Sequence, residues 1–72
     1  MELTLLRKKI CDVYGSVYKF APIVGYTQSM VNHMLHGRRK IFPYAQDRMA
    51  DLLGIPKDEY ITYFGEENYG LE

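Results

Sequence analysis

The stretch "YKFAPIVGYTQSMVNHMLHG" (Tyr18–Gly37) decides how this chain folds. Its apolar residues recur at helical spacing: Phe20, Ala21 and Val24 before Gly25, then Val31, Met34 and Leu35 after it. Gly25 marks a tight turn between two short helices. Ser16 suits the N-cap of the first, which runs from Val17 to about Val24. Thr27 caps the second, which runs to about His36 and stops at Gly37. Pro22 falls inside the first of these helices and removes the hydrogen bond to the Tyr18 carbonyl. In an average helix interior that costs about 3 kcal/mol. The inward face, however, is Val17, Phe20, Ala21 and Val24, so Tyr18 and Pro22 share the outer side, where water satisfies the freed carbonyl. Ala21, just before the proline, is pushed off ideal helical ψ, and a proline on the wet side bends a helix the way packed helices already curve. The pattern predicts a bent helix, not a lost one.

Working outward, Leu3, Leu6, Ile10 and Val13 form an upstream helical stripe, widened by Leu5 and Tyr14 and stopped by Gly15. Cys11 reads as a small, half-buried filler of that helix. Downstream, "RRKIFP" (Arg38–Pro43) is a loop. A fourth helix runs from Tyr44 to Leu53, with Ala45, Met49, Leu52 and Leu53 inward and Gly54 as its stop. "IPKDEYITYF" (Ile55–Phe64) reads as a short fifth helix, with acidic Asp58 and Glu59 in its first turn and Tyr60, Ile61 and Phe64 inward. "GEENYG" (Gly65–Gly70) is expected to be a frayed tail, and Leu71 and Glu72 have the look of an expression-tag scar. No segment alternates with period two long enough to be a strand. The expectation is an all-α fold of five short helices in one domain over residues 1–70.

A chain of 72 residues holds one small core. At this size stability requires well-formed helix packing or a partner subunit. One cysteine forms no internal disulfide, and no apolar run is long enough for a membrane span or a signal-peptide core, so the chain reads as cytoplasmic. The formal net charge is zero, but it is segregated: residues 1–40 carry +5 and residues 41–72 carry −5. A basic half is the footprint of a phosphate-backbone partner even in a neutral chain. Little points to catalysis or to a cofactor. His33 and His36 share a helix face but have no cysteine or carboxylate near them in sequence to complete a metal site. Cys11 has no neighbouring histidine to activate it. There is no phosphate-binding glycine loop, serine triad or carboxylate pair. The expectation is a protein that is not an enzyme and takes no metal, cofactor or small-molecule ligand.

Two helices joined by a turn of about three residues have the spacing of a DNA-reading helix-turn-helix. Ala21 is small where the helices approach, Gly25 makes the turn, and β-branched Val31 anchors the second helix. With Phe20, Val24, Met34 and Leu35 in the remaining buried slots, the segment resembles the phage repressor/Cro-like, lambda-repressor-type helix-turn-helix family. The resemblance covers about residues 3–64, including "LHGRRK" and "MADLLGIPKDEYITYF", which look like the family's later helices. It implies that the third helix lies in the major groove of double-stranded DNA. Thr27, Gln28 and Ser29 in its first turn, then Asn32 and His33, would reach base edges. Their chemistry suits that task, because amides, hydroxyls and imidazole both donate and accept. Arg38, Arg39 and Lys40 would meet phosphates, as would Lys19 and the backbone amides near Val17 and Tyr18. The family often has a polar side chain where this chain has Val17, which weakens one of those contacts. Arg7, Lys8 and Lys9 are more remote, and for them a merely solubilising role competes with phosphate contact on at least equal terms.

The resemblance further implies a sequence-specific regulator that occupies an operator, a bare reader closer to a Cro protein than to a two-domain repressor. Such proteins usually bind as two-fold homodimers. The acidic, tyrosine-rich C-terminal half is the candidate dimer surface, with Tyr44, Tyr60 and Tyr63 as core or dimer contacts. The competing expectation is a protein-interaction module on the same fold, an antirepressor or adaptor that does not read DNA. Zero net charge, the non-basic face of the third helix and Pro22 speak for it.

Overall fold

The computed structural model describes residues 3–65. Over these residues the chain forms five α-helices and no strand: α1 (Thr4–Tyr14), α2 (Val17–Val24), α3 (Gln28–Leu35), α4 (Pro43–Leu53) and α5 (Tyr60–Phe64). A single 3₁₀ turn, Lys57–Glu59, leads into α5, so the fifth helical segment is split in two. Of the tail expected over Gly65–Gly70, all but Gly65 lies outside the described residues, as does the expected tag scar at Leu71 and Glu72.

Local chemistry explains the central pair of helices. The Ser16 hydroxyl accepts from the Lys19 amide at 3.1 Å, and the Thr27 hydroxyl accepts from the Met30 amide at 3.1 Å, so both helices start on a side-chain cap. At the end of α2, Gly25 adopts φ 95°, and the amides of Gly25 and Tyr26 donate back to Pro22 and Ala21 at 3.2 and 2.9 Å. The same two-bond closure recurs at the end of α3. Gly37 adopts φ 78° and donates to Met34 at 3.1 Å, and Arg38 donates to His33 at 2.9 Å. Both are left-handed stops that favour glycine and satisfy otherwise orphaned helix carbonyls. Pro22 does not interrupt α2, which is helical from Val17 through Val24. Tyr18 and Pro22 both face solvent, on the side where the missing hydrogen bond is tolerated.

The core is built from the four α2 residues expected inward, together with Leu6 and Ile10 of α1, Val31, Met34 and Leu35 of α3, Met49 and Leu53 of α4, and Phe64. α1 touches each of the other four helices and is the hub of the packing. Several inward assignments are corrected. Val13 is 49% exposed, because Tyr14 takes the place against the next helix, with its ring 5.2 Å from that of Phe20. Cys11 is exposed rather than half-buried, since it lies about 100° around the helix from buried Ile10. Leu5 and Ile61 are also exposed. A helix as short as α5 presents only an i, i+4 pair inward, here Tyr60 and Phe64, packed edge to face at 5.3 Å. Tyr44 is not a core residue. It stands at the surface with its ring stacked on Phe42.

Polar cross-links then fix the helices against one another. The Tyr14 hydroxyl donates to the Leu52 carbonyl at 3.0 Å, while buried Gln46 donates to the Ile41 carbonyl at 2.8 Å and so ties α4 to the loop before it. The Tyr60 hydroxyl donates to Asp47 at 2.7 Å, and burial together with that hydrogen bond pushes its pKa up to about 12. Arg48 reaches from α4 to the end of α2, where its Nε donates to the Val24 carbonyl at 3.1 Å and its second guanidinium nitrogen approaches the Ile23 carbonyl at 3.4 Å. A cation on the last carbonyls of a helix complements both their lone pairs and the helix dipole. Arg48→Ala is therefore expected to destabilise the fold by about 1–2 kcal/mol. A thermal melt should show a midpoint lower by several degrees, and an unchanged midpoint would show that this link carries no stability.

Candidate functional site

Four of the five residues expected to read bases form one surface on α3. Gln28, Ser29 and His33 are exposed and Asn32 is half-buried, while Val31, Met34 and Leu35 hold the opposite side of the helix in the core. Those four polar residues line an open cleft of about 470 Å³, together with His36, Arg38 and Arg7 of α1. Thr27 stands outside the lining, and its hydroxyl is used as the α3 cap. Two guanidiniums, two imidazoles, two amides and a hydroxyl line the cleft, and among the described residues no carboxylate does. Such a surface suits a ligand rich in acceptors and negative charge.

Arg7 enters this surface because of how α1 is pinned. The Leu3 amide donates to the Leu35 carbonyl at 2.7 Å, joining the start of α1 to the end of α3. Leu6 and Ile10 lock the buried stripe of α1, and half-buried Arg7, one position past Leu6, falls on the α3 side. Its neighbour Lys8 does not line the cleft but pairs with Asp12 at 3.4 Å on an exposed face.

The cations expected to meet phosphate follow from the stop at Gly37. That turn sends Arg38, Arg39 and Lys40 out from the end of α3, and all three are exposed. Arg39 lies close enough to the Tyr26 hydroxyl to oppose its raised pKa, which burial and then neighbouring Tyr44 push upward. At the start of α2, the Val17 side chain is buried in the core, so any ligand contact there falls to backbone amides. Tyr18 is 70% exposed, and Lys19 is exposed with its amide already donated to Ser16. None of these three α2 residues lines the cleft.

Two cleft residues, His36 and Arg7, are not among those expected from sequence to touch a ligand. His36 has a local signal, since it lies one helical turn past Asn32 and His33 on the same side. Arg7 has none, because it arrives through the Leu3–Leu35 hydrogen bond between segments distant in sequence. Among the described residues, no group of three or more histidine, cysteine, aspartate or glutamate side chains could hold a metal ion. Nor is any described helix long and apolar enough to cross a membrane. A search of protein families, curated proteins and solved structures finds no match to this chain.

Proposed function

We propose that this chain is a sequence-specific double-stranded DNA-binding regulator of phage or prophage Cro or repressor type. In this reading α2, the turn at Gly25 and α3 form a helix-turn-helix in the lambda-repressor arrangement, and α3 is the helix that enters the major groove. The observation that carries the proposal is the outer face of α3. Gln28, Ser29, Asn32 and His33 offer uncharged donors and acceptors on a helix held from behind by Val31, Met34 and Leu35. Exposed Arg38, Arg39 and Lys40 follow at its end. Hydrogen-bonding groups at the centre and cations at the edge are the division of labour between base readout and phosphate positioning. A second copy would pair through the acidic C-terminal half, where Phe42, Tyr44 and Ile61 are exposed.

Titrating short duplexes against salt tests the proposal. Affinity should fall steeply as salt rises, with a slope set by the number of phosphates neutralised. Arg39→Ala should weaken binding to all sequences about equally and flatten that slope by about 0.9. If the protein binds no duplex at low salt, the proposal fails and the interaction-module reading takes its place.

A further inference from the structure

We infer that Arg7 is a phosphate contact, so that α1 grips the DNA backbone alongside the helix-turn-helix. The inference rests on the DNA reading of α3 and extends its surface to a helix outside the motif. Three observations carry it. Arg7 lines the same cleft as Gln28, Asn32, His33 and Arg38, so a backbone following α3 passes within its reach. The stretch of α1 that carries it is fixed against α3 and the core, by the 2.7 Å bond from the Leu3 amide to Leu35 and by the buried anchors Leu6 and Ile10. And the lining joins its guanidinium to that of Arg38 among the hydrogen-bonding side chains of α3, and among the described residues no carboxylate lines the cleft, which suits it to an anion. A planar guanidinium matches phosphate geometry better than an ammonium does. Arg7 and Arg38 supply two such groups in one lining.

A purely structural role is the competing account, because a cation near the end of α3 also complements the helix dipole. The two are separated by the salt dependence of duplex binding, which counts phosphate contacts and is blind to stability. Binding of a short mixed-sequence duplex should be measured across a salt series for the wild type, Arg7→Ala, Arg7→Lys and Lys8→Ala, with a thermal melt of each. Arg7→Ala should reduce the slope of log K against log salt by about 0.9 and lower affinity several-fold at low salt on every sequence. Arg7→Lys should retain most of the slope, and Lys8→Ala should leave it unchanged. If Arg7→Ala melts below the assay temperature, neutral and longer Arg7→Gln carries the same comparison. A folded Arg7→Ala or Arg7→Gln protein with the wild-type slope overturns this inference and leaves the DNA reading intact. A wild-type protein that binds no duplex overturns the DNA reading itself, and the inference with it.

Discussion

Phe20→Ala should lower the unfolding free energy by about 3–5 kcal/mol, which is most of what a domain this small possesses. Phe20 is fully buried, its ring lies 5.2 Å from that of Tyr14, and it is the largest inward side chain of α2. Removing it opens a cavity between α1 and α2, at the hub of the packing. The neighbours cannot collapse into it freely. Tyr14 is tied to the Leu52 carbonyl, and the end of α2 is tied to Arg48. The expected result is loss of most helical circular dichroism at 37 °C, or a urea midpoint near zero. A loss below about 1 kcal/mol would mean that the core does not depend on this ring.

Gln28→Ala should cost about 1–3 kcal/mol on the preferred duplex, roughly a 5- to 150-fold loss of affinity. On unrelated sequences it should cost little. Gln28 is exposed, it is the first residue of α3, and it comes directly after the Thr27 cap. Alanine is a good helix former there, so the fold should not change. The substitution removes a side chain that both donates and accepts, the means by which an amide distinguishes adenine in the major groove. Competition binding with variants of the preferred site measures the effect base pair by base pair. A uniform loss on all sequences would contradict the assignment of readout to α3.

The parts of this molecule that are legible in its sequence are those decided within a few residues. Ser16 and Thr27 cap helices because their hydroxyls reach amides three positions on. Gly25 and Gly37 end helices because the chain must turn left-handed there. The outward polar face of α3 comes from its period once those ends are fixed. The illegible parts depend on contacts between segments distant in the chain. Ile41 and Phe42 are adjacent apolar loop residues, yet the first is fully buried and the second is 49% exposed. Val13 matches the α1 stripe, but Tyr14 reaches both Phe20 and Leu52 and takes the inner position. Arg48 belongs to the acidic half by sequence and serves α2 in space. Arg7 joins the site for a similar reason, through a backbone bond that no local pattern announces.

The most direct test of the central claim, that α3 reads base pairs, is selection of bound duplexes from a random pool by the wild-type protein. The expected product is a palindromic sequence whose half-sites lie about one helical turn apart, each specified over a few adjacent base pairs. Repeating the selection with Gln28→Ala should leave the palindrome and relax one position in each half. Recovery of no enriched sequence, or of no duplex at low salt, would contradict the claim.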